Sequence, residues 1–264
     1  PLALVLAAIW WRDYRDDPSA HRGVNARELA LIAEGRDAGA EAVAPLEWRR
    51  LLADRELLLL TASYATQGYG FYLFFNWFPY YLTEVRHVPA TTAGYFVAAQ
   101  WMVGAVAAVA GGIVCDRVTA RHGARRGCRA PAVWSLVLCA PLLVAGTLAT
   151  SPLWNLVLLS ASFGALAFSD SAFWAAAMHM AGRDAQPATA LLNMGGNLSG
   201  GIGAAAVPLV AAAFRWPVAL GTGAVLALVG AALWVGVRAD VPIRSRAHPR
   251  SAPPLVAGDA LVVP

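Results

Sequence analysis

Between Leu57 and Val237 the chain reads as six long apolar stretches, at about 57–82, 92–115, 130–150, 153–181, 187–213 and 217–237, parted by short polar gaps. Each reaches the roughly 20 residues that a helix needs to cross about 30 Å of hydrocarbon. Asp170 is the one fully charged side chain inside any of them. Six buried core helices in succession would leave a soluble protein almost no polar surface, so the pattern predicts an all-α membrane protein. Local signals set the boundaries. Pro79 loosens the last turn of the first span. Pro89 with Thr91 or Thr92 as N-cap opens the second, and Gly111-Gly112 closes it. The third begins beyond Pro131. Ser151-Pro152 has the cap and first-turn arrangement for the fourth, and Pro187 and Pro217 mark the last two starts.

Charge changes this picture by giving it a direction. All 20 basic residues of the Lys+Arg count are arginines. Placing 12–55, 116–129, Arg183 and the tail after Val237 on one side of a membrane gathers all of them there except Arg86 and Arg215. Positive charge resists translocation, so that side is expected to be cytoplasmic. The net charge of +4 is then a topology signal and not a nucleic-acid footprint, because no basic-aromatic pattern accompanies it. Charged residues make up 14%, against about a quarter in a soluble domain. Cys115, Cys128 and Cys139 have no metal-ligand spacing and form no even-numbered disulfide set, so they read as packing thiols.

The organisation follows. Residues 1–11 read as the end of a preceding transmembrane helix, so the sequence is expected to be a piece of a longer protein. Residues 12–55 form a cytoplasmic connector, in which Asn25 and Glu28 have capping-box spacing ahead of a short amphipathic helix, and the Ala/Gly-rich stretch at 35–45 is expected to be flexible. Residues 56–238 hold the six spans. Residues 239–264 are Pro-, Arg- and Ala-rich without periodicity and predict a disordered cytoplasmic tail.

Three motifs carry a resemblance. Gly112, Asp116 and Arg117, followed by Arg121, Gly123, Arg125 and Arg126, resemble the G-x-x-x-D-R-x-G-R-R loop of the major facilitator superfamily, with the spacing before the second glycine stretched. The connector residues Pro18, His21, Val24, Asn25, Glu28, Leu29 and Ile32 are similar to the D-x-P-x-x-H-x-x-V-N-x-x-E-L-x-x-I stretch of its anion:cation symporter family. Residues 71–82, with Tyr72, Asn76, Trp77 and Pro79, look like the seventh helix of that family, and Asn193 to Pro208, with Gly195, Gly196, Asn197, Gly200 and Gly201, like its eleventh. The resemblance spans about residues 1–238. It implies the C-terminal six-helix half of a twelve-helix transporter in a bacterial inner membrane, with both termini of that half inside. It further implies proton-coupled symport of an organic anion such as a sugar acid or aromatic carboxylate, by alternating access between two halves built from inverted repeats. The partners implied are the anion, a coupling cation, the bilayer and the N-terminal six-helix half, with no cofactor.

The residues themselves point to a central site. Tyr69, Tyr72 and Asn76 have i, i+3, i+7 spacing on one expected helix face, with Gln67 nearby, and Asn193 and Asn197 are i, i+4 neighbours. Polar groups are costly against lipid, so both sets are expected to face the bundle interior, either on substrate or in interhelical hydrogen bonds. The glycines around them read as close-packing positions. Trp174 resembles a substrate-facing tryptophan of the tenth helix. Asp170, one turn before it, is a candidate for proton coupling, with a structural acid beside Ser169 and Ser171 as the equal alternative. His179 reads as interfacial. An intramembrane enzyme would need a nucleophile with its base, and neither G-x-S-x-G nor H-E-x-x-H occurs. The remaining rival is a transporter-like ligand sensor or regulatory membrane subunit that binds without moving its ligand.

Overall fold

The computed structural model describes residues 2–15, 17–37, 48–182 and 185–243. It divides into two units, Pro1–Leu46 and Glu47–Pro264. The first holds helices α1 (Leu2–Asp13) and α2 (Ala26–Asp37). The Tyr14 ring stacks on Trp10 with centroids 4.6 Å apart. The expected capping box is formed at the start of α2: the Glu28 N–H donates to Asn25 Oδ1 at 2.9 Å, and the Asn25 N–H donates to Glu28 Oε2 at 3.0 Å. Most of the stretch expected to be flexible, Arg183, and the expected tail beyond 243 lie outside the described residues.

The second unit runs α3 (Trp48–Ala53), α4 (Arg55–Tyr72), α5 (Phe78–Tyr80), α6 (Ala90–His122), α7 (Ala124–Leu148), α8 (Pro152–Ala181), α9 (Ala185–Ala213) and α10 (Trp216–Leu233). No strand occurs among the described residues. α6, α7, α8, α9 and the segment Trp216–Gly236 are each long and apolar enough to cross a membrane. The first predicted span is helical throughout 55–85 but changes its winding, with π-helical turns at Leu73–Trp77 and Tyr81–Val85 on either side of α5. Pro79 sits between them. It brings no N–H and its ring crowds the carbonyl four residues back, so wider turns accommodate it.

Several boundaries differ from the sequence reading. α6 starts behind Pro89 rather than at a threonine cap and runs past Gly111-Gly112 to His122, where Gly123 turns the chain at a φ of 81°. α7 begins before Pro131 and contains it together with Pro141. The glycine pair breaks nothing because its use is contact: a Cβ on Gly111 would strike the Phe168 carbonyl oxygen of α8. Ser151 has the extended backbone of a cap without a side-chain capping bond.

The bundle has two packed groups, α6–α7–α8 and α4–α9–α10, joined through α8 against α9 and α10 against α7. In hydrocarbon, helices gain nothing by hiding apolar surface from one another, so association depends on close van der Waals approach. The expected packing glycines of α9 supply it: a Cβ on Gly196 would lie 2.7 Å from the Tyr64 ring, one on Gly203 2.8 Å from the Tyr69 ring, and one on Gly200 inside the Tyr72 ring. Gly68 of α4 meets the Gly196 backbone, its Cβ position lying 2.5 Å from the carbonyl oxygen. Gly201 meets nothing and is not a packing position. The three cysteines are buried.

Helix ends are closed by arginines. One nitrogen of Arg129 donates to the carbonyls of Val235 and Val237 at 2.8 and 2.7 Å. Arg238 gives its backbone N–H and its Nε to the buried Glu56 carboxylate at 2.9 and 2.6 Å. At the opposite end Arg86 donates to Ala149 and Thr150 carbonyls, both at 2.9 Å, where the end of α7 presents unsatisfied acceptors and partial negative charge.

The Gly68–Gly196 contact yields a direct test. Gly68→Ala is expected to lower stability by about 1–3 kcal/mol through overpacking, read as thermal unfolding in detergent. Gly201→Ala, which adds a methyl in open space, is expected to leave the transition unchanged.

Candidate transport site

Four helices, α4, α6, α8 and α9, enclose a cavity of about 470 Å³. α4 contributes Tyr64, Gln67, Phe71 and Tyr72; α8 contributes Phe163, Asp170 and Trp174; α9 contributes Asn193 and Asn197; and Trp101 comes from α6. Small residues on α6 and α9, among them Gly104, Ala105, Ala108 and Gly196, leave the space that these larger side chains surround.

Two polar groupings line it. In one, the Gln67 amide donates to Asp170 Oδ1 at 3.3 Å. Tyr64 and Trp174 direct further hydrogen-bonding groups at the same carboxylate, and their rings meet edge-on at 5.9 Å. In the other, the Tyr72 hydroxyl donates to Asn197 Oδ1 at 2.7 Å, and the Asn197 amide donates to the Asn193 carbonyl at 2.8 Å and to Asn193 Oδ1 at 3.0 Å. The same lining holds an aromatic corner. Trp101 packs edge-on against Phe71 at 5.6 Å and against Phe163 at 5.2 Å. A site with carboxylate, phenol and amide groups beside aromatic faces can hold a small polar organic molecule by hydrogen bonds and by its carbon skeleton.

Six of the residues singled out in the sequence, Gln67, Tyr72, Asp170, Trp174, Asn193 and Asn197, thus meet at one cavity. Two do not. The Tyr69 ring is buried against Gly203, and its hydroxyl shares a 2.8 Å hydrogen bond with Thr222 of α10. Asn76 is exposed and outside the lining. The single expected face fails for a physical reason: i and i+3 diverge enough to serve different neighbouring helices, and the π turns from Leu73 onward carry Asn76 off the α-helical register. Ser171 donates to the Ala108 carbonyl at 3.2 Å and Ser169 to that of Leu166 at 2.7 Å, so neither serine holds Asp170. His179 is exposed near the end of α8.

Sequence reasoning missed Tyr64, Phe71, Trp101 and Phe163. The aromatic three carry no distinguishing signal in an apolar span, whereas Tyr64, a hydroxyl two turns from Tyr72, did. In the signature loop, Asp116, Arg117, Arg125 and Arg126 are exposed around the Gly123 turn. Gly112 touches only Ser171 at ordinary distance; the close approaches are at Gly111 and at Gly127, whose Cβ would enter the Thr119 backbone.

The chain is an all-α bundle with a partly polar cavity among α4 and three helices long enough to cross a membrane, an architecture found among membrane transport proteins. Residues 1–187 match the family model of the Major Facilitator Superfamily, and the chain belongs to that superfamily. It is 30% identical over 193 residues to a probable sulfoacetate transporter, SauU, of Cupriavidus necator, covering 71% of this chain and 44% of that protein. It is 26% identical to the probable galactarate/D-glucarate transporter GudP of Escherichia coli, over 92% of this chain and 54% of the relative. A D-galactonate transporter of Escherichia coli is 24% identical over 91% of this chain and 58% of its own length. The chain therefore spans about half the length of the curated relatives it matches.

The Tyr72–Asn197 bond crosses from α4 to α9 and is testable. Tyr72→Phe is expected to cost about 1 kcal/mol or less of stability, and a double-mutant cycle with Asn197→Ala is expected to be non-additive by most of that amount.

Proposed function

We propose that this chain is the C-terminal half of a proton-coupled symporter of the anion:cation symporter family, carrying a small organic anion across a bacterial inner membrane. The cavity among α4, α6, α8 and α9 supplies its part of the binding site, and the N-terminal half supplies the rest. The observation that carries the reading is the composition of the cavity wall. Among the described residues lining it, Asp170 is the one charged group, set within hydrogen-bonding side chains. The relatives support the substrate class, since their names specify a sulfonated acid and sugar acids.

A lone carboxylate in an anion site repels its ligand unless it carries a proton. Binding of the anion then requires Asp170 to be protonated, and proton and anion move together. The negative charge of the substrate meets its counter-charge on the other half. Trp174 and Trp101 flank the carbon skeleton, and Tyr72, Asn193 and Asn197 hydrogen-bond its hydroxyl or carboxylate oxygens. Gln67 orients Asp170. Rocking of the two halves about this midplane site alternates access. The arginine-rich loops, including Asp116, Arg117, Arg125 and Arg126, lie on the cytoplasmic side together with the C-terminus.

The test is uptake of labelled sulfoacetate, galactarate, glucarate and galactonate by the full-length transporter in proteoliposomes under an imposed pH gradient. Accumulation of one of these acids that collapses with the gradient is expected; saturable binding without accumulation would establish a sensor instead. In the same assay Asp170→Asn, which mimics the protonated acid, is expected to retain substrate binding and to lose the dependence of uptake on pH, while His179→Ala keeps it. An Asp170→Asn variant with the parent pH profile removes Asp170 from coupling.

A further inference from the structure

A second cavity, of about 640 Å³, opens between α6, α7 and α8 on a different face of α6 from the first. Val103, Ala107, Val114 and Val118 form one wall and Ala130, Trp134, Leu138 and Leu142 the other, over a floor that includes Gly164 and Phe168 of α8. Ser135 is the sole polar lining residue, and its hydroxyl is committed to the Ala132 carbonyl of its own helix at 3.1 Å. Such a surface offers nothing to a polar ligand. Its rims are open: Trp134 is 73% exposed and Leu138 54%, as hydrocarbon-facing residues of a membrane helix are.

The groove has a charged end. The α7 wall is a row at steps of four, so its next member beyond Ala130 is Arg126. On α6 the same continuation from Val118 reaches Arg121 and His122. All three are exposed. Residues 116–129 contain five arginines and one acid, Asp116. The α7 wall from Ala130 to Leu142 is about 18 Å long at a rise of about 1.5 Å per residue, close to the roughly 15 Å of one leaflet's hydrocarbon. Apolar length and charge position therefore match one molecule.

We infer that this groove holds an anionic phospholipid of the leaflet at the arginine-rich end, with an acyl chain between α6 and α7 and the phosphate on Arg121 and Arg126. Guanidinium groups bind phosphate through paired hydrogen bonds, and basic pockets between membrane helices are suited to lipid headgroups. This inference rests on the membrane-spanning assignment and not on the transport reading.

The test uses the full-length protein in phosphatidylcholine vesicles with trace spin-labelled phosphatidylglycerol or phosphatidylcholine of matched chains. Motionally restricted lipid is read by electron spin resonance. The parent is expected to restrict phosphatidylglycerol several-fold more than phosphatidylcholine. Removing both charges in R121A/R126A is expected to abolish that preference, leaving the two lipids about equally restricted. Ala107→Trp, which fills the groove, is expected to remove the phosphatidylglycerol preference while leaving the ordinary boundary lipid around the rest of the protein; Ala130→Phe fills it from α7 should circular dichroism show the first variant unfolded. A phosphatidylglycerol preference that survives R121A/R126A, or one that survives the filled groove, overturns the assignment. The second outcome would mean surface attraction alone.

Discussion

Close backbone approach through glycine is the constraint on which this bundle depends. Between helices in lipid there is no gain from hiding apolar surface, so cohesion requires atoms in contact along the whole crossing. Gly68 against Gly196 places two backbones together, and Gly200 and Gly203 receive the Tyr72 and Tyr69 rings. The same seam positions function. With α4 and α9 this near, the Tyr72 hydroxyl reaches Asn197 across the gap, and Gln67 and Tyr64 are brought to the carboxylate on α8. Gly111 does for α6 and α8 what Gly196 does for α4 and α9. The cavity is thus a space left by small residues, with large side chains held at its edge.

The arginines have two separate uses. Arg117, Arg121, Arg125 and Arg126 are exposed and set the electrostatic character of one end. Arg86, Arg129 and Arg238 are instead structural, each turned onto a helix terminus or a carboxylate. Arg86 belongs to the sparse side in the charge count, and its capping of the α7 carbonyls is a reason for a positive charge to be there despite the topological bias against it.

Much of this was legible in advance because membrane spans write a strong pattern. Apolar length gave the helices, Pro187 and Pro217 gave two starts, and Asn25 with Glu28 gave a cap formed as spaced. Gly111-Gly112 misled because glycine means both break and contact, and only the facing Phe168 decides which. Asn76 misled because the 3.6-residue period was extended across a segment whose turns are wider. Within the site, polar residues were visible in an apolar background, whereas Phe71, Trp101 and Phe163 were camouflaged by composition. No rule of spacing separates an aromatic that lines a cavity from one that fills a core.

The π turns on either side of Pro79 carry a mechanical meaning. In an α-helix each amide is locked to a partner four residues away, and rotation of one end is transmitted rigidly to the other. Where the ladder passes from four to five residues and back, the turn widens and the strict register between the two ends is broken. The segment 55–85 is then a shaft with a torsional coupling in it. Its half beside the cavity is held on α8 and α9 through Gln67 and Tyr72, while the half beyond Leu73 answers to other neighbours, with Phe78, Tyr81 and Leu82 buried and Arg86 on the end of α7.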